Sequence, residues 1–142
     1  MSFTSLRSAI NSKLSGLTGA GKPLQVVSQI HTGDLTGFPA ATFEPSGNDS
    51  DFYTNTDNLR AYAFDIIVHQ EIENAGRANA VTILAAAVDA IITAFDTDYN
   101  LSGACDFCLA LPSSWGEYTG SQGAVKFAKL TLVCKIEATV VP

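Results

Sequence analysis

Charge is scarce in this chain. Only 15% of its 142 residues are Asp, Glu, Lys or Arg, against about 25% in typical globular domains. Cations are the scarcer sign: eight Lys and Arg against fourteen Asp and Glu leave a formal net charge of -6. Arg7, Lys13, Lys22, Arg60, Arg77, Lys126, Lys129 and Lys135 are spread thinly along the sequence. They do not form the basic footprint that sequence-independent nucleic-acid binding requires, which argues against a DNA clamp. The opening MSFTSLRSAINSKL lacks an apolar core long enough for a signal peptide. Three cysteines are an odd number, and a chain of this length does not need disulfides to fold. Synthesis in a reducing cytoplasm is the expectation. The one membrane candidate is Ala78–Phe95, but Asp89 lies inside it at a cost of about 2.5–3.5 kcal/mol at a bilayer centre. No membrane partner is expected.

What remains is apolar: 46% of the residues. The length suits one domain, residues 1–142, burying roughly 68–70% of its unfolded surface. A surface short of charge fits a subunit buried among neighbours.

Phe3, Leu6, Ile10, Leu14 and Leu17 recur at spacings of three and four, which predicts an amphipathic helix. Gly16, Gly19 and Gly21 stop it and Pro23 fixes the exit. LQVVSQIH and FPAATFEP read as strands. PSGNDSDFYTNTDN, polar and rich in turn formers, reads as a loop of about a dozen residues. LRAYAFDIIVHQEI alternates, placing Tyr62, Phe64, Ile66 and Val68 on one face. The two strands around the loop make an extended hairpin. Val81, Leu84, Val88, Ile91, Ile92 and Phe95 form the stripe of a long helix from about Arg77 to Phe95, thinned elsewhere by alanines. CDFCLALP is a fourth strand, SSWGEYTGSQG a loop and AVKFAKLTLVCKIEATVV a long last strand, with Leu130, Leu132, Cys134 and Ile136 on one face. The fold class is α+β: a mostly antiparallel or mixed sheet with an N-terminal helix and one long central helix packed on it.

Several motifs suggest chemistry and fall short of it. GLTGAGKP places Gly16, Gly21 and Lys22 as a phosphate loop would, but Pro23 replaces the hydroxyl residue and the order is helix then strand, the reverse of what that loop needs. Cys105 and Cys108 form CxxC without a second pair; inside a strand their spacing sends the thiols to opposite faces, so they read as small buried hydrophobes. Asp49, Asp51, Asn55 and Asp57 depart from calcium-loop spacing and read as a solvated or partner-facing acidic loop. His31 with Asp34 and His69 with Glu71 lack a nucleophile in a recognisable elbow, so both histidines are expected in loops or on a strand surface. No catalytic residue, cofactor or metal is expected. Phe52, Tyr53, Tyr99, Trp115 and Tyr118 stand in or beside expected loops, where each either anchors a partner or folds back on the core.

The hairpin segment FPAATFEPSGNDSDFYTNTDNLRAYAFDIIVHQE resembles the central stretch of tail terminator and related tail-completion, head-tail joining proteins of long-tailed phages. The matching residues are Pro39, Ala40 and Pro45 in the first strand, Ser50, Asp51, Thr54 and Asn58 in the loop, and Arg60, Tyr62 and Phe64 opening the next strand. Asn58 stands one residue further on than that pattern has it. The resemblance implies a non-enzymatic virion protein, a homo-hexameric ring that caps the tail tube and meets the neck. Its partners would be the tube protein and the neck or stopper protein, with DNA passing through the lumen without specific binding. Asp49, Asp51, Phe52, Tyr53 and Asp57 at the hairpin tip, with Trp115 and Tyr118, are the expected interface residues. A stopper, adaptor or tube-like ring protein is the near alternative. A small cytoplasmic ligand-binding or enzymatic domain, or a module binding by β-augmentation, comes from other classes.

Overall fold

The computed structural model describes residues 2–29, 35–52, 57–120 and 123–139; for 48–52, 57, 58, 138 and 139 it describes the backbone. Helix α1 (Phe3–Ser15) starts at a capping box, in which the Ser5 amide donates to Ser2 Oγ at 3.1 Å and the Ser2 amide donates to Ser5 Oγ at 3.0 Å. Gly16 ends it, its amide donating to the Ser12 carbonyl. Leu6, Ile10 and Leu14 are fully buried, so the stripe read at spacings of three and four is the face that packs. The glycine-rich stretch after α1 is a turn leading to strand β1 (Val26–Ser28).

The other strands are β2 (Ala40–Phe52), β3 (Asp57–Glu71), β4 (Phe107–Gly120) and β5 (Gly123–Thr139). They form one five-stranded sheet in the order β1-β2-β3-β5-β4. In this sheet β1–β2 is parallel, and β2–β3, β3–β5 and β4–β5 are antiparallel. Helix α2 (Arg77–Thr97) crosses one face against β3, β4 and β5. Its Leu84, Val88, Ile91 and Phe95 meet Phe64, Ile66, Leu130 and Leu132 in the core. By length and composition α2 could cross a membrane, but in this fold its apolar stripe is seated on the sheet. Ile92 is half-buried and Val81 is exposed; Ala80 and Ala87 are buried, and so small a side chain lets helix and sheet approach closely.

Much of two expected loops is strand. Residues 46–52 and 57–58 continue the ladder, with Gly47 opposite Ala63, Asp51 opposite Leu59 and Phe52 opposite Asn58. The stretch 113–120 is the second half of β4. Polar, glycine-rich sequence carries weak strand preference alone, but each segment lies beside a long strand whose backbone groups need partners. β5 pairs with β3 as far as Asp57 opposite Thr139, so the projecting hairpin is backed by a third strand. Register shifts at Pro45/Gly47 and Pro112/Ser114 absorb both prolines.

Two further expectations are overturned. His69 is only 1% exposed, lying within hydrogen-bonding distance of Thr42 Oγ1 (3.0 Å at Nε2) and of the Tyr118 hydroxyl (2.9 Å at Nδ1); it is a satisfied interior histidine. Cys105 and Cys108 do not part to opposite faces. Cys105 precedes β4, in the turn after the short 3-10 segment Leu101–Gly103, so strand alternation does not govern it, and both thiols are buried in the same cluster with Cys134. His31 and Asp34 lie outside the described residues.

Directly opposite residues share a face of an antiparallel pair. Gly116 stands opposite Phe127, and a Cβ built there would sit 2.7 Å from the Phe127 ring. The ring lies where a side chain would be. Gly116→Ala should therefore cost about 1–3 kcal/mol by overpacking, read as a lower urea midpoint. Adding Phe127→Leu should cost less than the sum of the two single changes, because the two residues touch.

Candidate assembly surface

The first half of β4 alternates sharply in size. Cys108 and Ala110 are buried under α2, while Phe107, Leu109 and Leu111 on the other face are 46%, 48% and 44% exposed. Period-two alternation forces this division. The helix comes down on small side chains, and the large ones are left facing outward. Val133 and Thr131, opposite Leu109 and Leu111, extend that face onto β5 as half-buried neighbours. Lys135 covers part of the Phe107 ring, with Nζ 5.5 Å from its centroid. Past the register shift the faces exchange, so Trp115, opposite the buried Ala128, lies on the α2 side of the sheet, where it is 46% exposed; Tyr99, after α2, is 60% exposed. An exposed row of large apolar side chains on one strand is the pattern that marks an interaction face.

The projecting arm stands at the same end of the sheet. Phe107 pairs with Lys135, which pairs on its other side with Ala61. Beyond that level β2, β3 and β5 continue without β4, to Phe52, Asp57 and Thr139. Asp49 stands opposite Ala61, Asp51 opposite Leu59 and Asp57 opposite Thr139. The backbone thus carries the acidic tip a few residues past the exposed row. Tyr53 lies outside the described residues. Where the arm leaves the body, Phe3 stacks on Phe64 with ring centroids 5.7 Å apart. Phe3, Pro45, Gly47 and Tyr62 line an open cleft of about 390 Å³ there.

Trp115 and Tyr118 differ in their surroundings. Tyr118 bonds His69, meets it edge-on at 5.7 Å between centroids and lies 6.1 Å from the Phe127 ring; desolvation raises its hydroxyl pKa. Of the pair, Trp115 is the exposed one. Phe107, Leu109 and Leu111 were not singled out from sequence. Their signal is the FCLAL pattern itself, where large and small apolar residues alternate and only one set can meet a helix.

The opposite face carries an ion cluster that ties α2 to the edge strand. Arg77 donates through Nε to Glu117 Oε1 at 2.9 Å and through Nη2 to Oε2 at 3.0 Å, and Lys126 Nζ lies 3.5 Å from Oε1. The Arg77 hydrogen bond, with its charge and that of Lys126, holds the Glu117 carboxyl down to about 2, against an ordinary 4.5. Lys13 and Asp98 join α1 to the end of α2 at 2.9 Å. On the exposed-row face Lys129 reaches Asp65 at 3.4 Å. Among the described residues, no group of three or more His, Cys, Asp or Glu is arranged to hold a metal ion.

The Glu117 shift fixes a pH dependence. A carboxyl whose folded pKa is depressed contributes stability above its unfolded value, and that contribution disappears as pH falls through the folded value. Wild type should therefore lose stability between about pH 4.5 and pH 2 more steeply than Glu117→Gln, a small difference because the pair is exposed and salt-screened. Denaturant midpoints at pH 5, 3.5 and 2, in low and high salt, check it.

In comparison with known proteins, no family model matches the chain and no curated protein shows significant similarity to it.

Proposed function

We propose that this chain is a non-enzymatic structural subunit that acts in association with copies of itself, in the manner of the tail terminator and tail-completion proteins its hairpin resembles. On this reading it forms a ring, six-fold as the resemblance implies, that caps a phage tail tube and meets the neck. The observation that carries the reading is the outward row Phe107, Leu109 and Leu111, large apolar side chains 44–48% exposed on an edge strand. Burying them in a neighbour gains roughly 25 cal/mol per Å² of apolar surface removed from water.

The edge itself is poorly suited to adding a strand. Pro112 lacks a donor, a register shift follows it, and Glu117 sits in the second half of β4; each blunts edge-to-edge pairing. Side-chain contact across the face, with the arm reaching over a neighbour, is the geometry this favours. Such a contact between unlike surfaces closes into a ring when the rotation allows. The scarcity of cations agrees with a lumen that lets DNA pass without gripping it.

Light scattering on the purified protein tests the reading. Wild type should give closed oligomers near six copies. Leu109→Asp with Leu111→Asp should weaken subunit association by at least about 100-fold while circular dichroism stays native. Unchanged assembly by that double variant would remove the row from the interface. The tip is tested separately: Phe52→Ala with Tyr53→Ala should impair assembly and leave the fold intact, and normal assembly would take the tip out of the contact. Monomer at every concentration, with or without tail tubes, would contradict the ring.

A further inference from the structure

We propose that Cys105, Cys108 and Cys134 form a thiol-oxidation site, in which a hydroperoxide converts the cluster to a Cys108–Cys134 disulfide with Cys105 as the point of entry. Three observations place the residues together. Cys108 and Cys134 are directly opposed in the β4–β5 ladder. Opposed residues of an antiparallel pair have Cα atoms about 4.5–5.5 Å apart, within the span of about 4.4–6.8 Å that a disulfide bridges. Cys105 joins them from the turn before β4, buried in the same core cluster. Its Sγ lies 3.9 Å from the Tyr99 carbonyl oxygen, which also accepts from the Cys108 amide at 2.7 Å. All three are free thiols in the buried core, and the metal alternative lacks a suitable ligand arrangement among the described residues.

The three thiols are not equivalent. Contacts with Cys108 and Cys134 lower the Cys105 pKa. The same contacts push Cys108 and Cys134 up. Thiolate is the reactive form, which makes Cys105 the group that meets the oxidant. It is 1% exposed and Cys108 6%, but Cys105 belongs to a turn rather than to the ladder. That turn holds Leu101 and Ser102 at φ 48° and 57°, a conformation costly for residues other than glycine. A segment of this kind opens locally at lower free energy than the strands beside it.

The chemistry balances. Cys105 thiolate attacks the peroxide oxygen, giving a sulfenic acid and releasing alkoxide, which takes up a proton as alcohol (water for hydrogen peroxide). Cys108 sulfur then attacks the Cys105 sulfur, forming the Cys105–Cys108 bond and expelling water. Cys134 thiolate attacks Cys108 and expels Cys105, the thiol of lowest pKa and so the best leaving group. In sum, two thiols and one hydroperoxide yield one disulfide, one alcohol and one water, and Cys105 returns as a thiol. The product ties β4 to β5 directly behind the outward row.

The test treats the reduced, full-length protein with hydrogen peroxide, quenches by alkylation under denaturing conditions and maps peptides by mass spectrometry. The expected product is intramolecular, lighter by two hydrogens, linked Cys108–Cys134, alkylated at Cys105 and restored by dithiothreitol. Cys105→Ser should slow its formation at least about tenfold, and Cys134→Ser should trap a Cys105–Cys108 link, with circular dichroism reporting that both variants are folded. Three alkylatable thiols at saturating peroxide, a link between chains, or sulfinic acid at Cys105 without a disulfide would each overturn the proposal. So would an unchanged rate in Cys105→Ser.

Discussion

The packing of α2 on the sheet is the constraint from which the other features follow. The helix meets the first half of β4 over Cys108 and Ala110, which are small enough to admit it. Strand alternation then leaves Phe107, Leu109 and Leu111 no place but the opposite face. One contact therefore buries the core, fixes which face of β4 is sealed and produces the exposed apolar row. It also draws Cys108 into the same buried layer as Cys134 and the turn that carries Cys105. The interface reading and the thiol cluster are two consequences of one helix–sheet contact.

The long strands supply the second element. β3 is flanked by β2 and β5 along its length, and the ladder between them holds even where the sequence is Gly-Asn-Asp-Ser-Asp. The arm is held by backbone pairing on both sides of β3. An arm made of three paired strands can reach a neighbour without the ordering cost that a long free loop would carry. Its acidic tip and the apolar row lie at the same end of the sheet, giving one region a polar and an apolar part.

Sequence reading succeeded where side chains decide the structure and failed where neighbours decide it. Leu6, Ile10 and Leu14 in α1, and Leu84, Val88, Ile91 and Phe95 in α2, were legible because helical spacing and burial agree. Phe64, Ile66 and Val68, and Leu130, Leu132, Cys134 and Ile136, were legible from alternation. The stretches 46–52 and 113–120 were not, because their strand conformation comes from pairing and their composition favours turns. His69 was placed at the surface on its polarity, yet Thr42 and Tyr118, distant in sequence, satisfy its ring and make burial affordable. The cysteine spacing misled because alternation applies only within a strand, and Cys105 precedes one. Of the expected interface residues, Trp115 is exposed, and Tyr118 has partners in its own chain.

Electron microscopy of the purified protein, alone and with tail tubes, bears most directly on the claim that the outward face of β4 joins copies of this chain. The account predicts closed rings, with density from each neighbour lying over Phe107, Leu109 and Leu111, and rings seated on tube ends when tubes are present. Isolated single-chain particles under both conditions, or rings in which that face points to solvent, would contradict it.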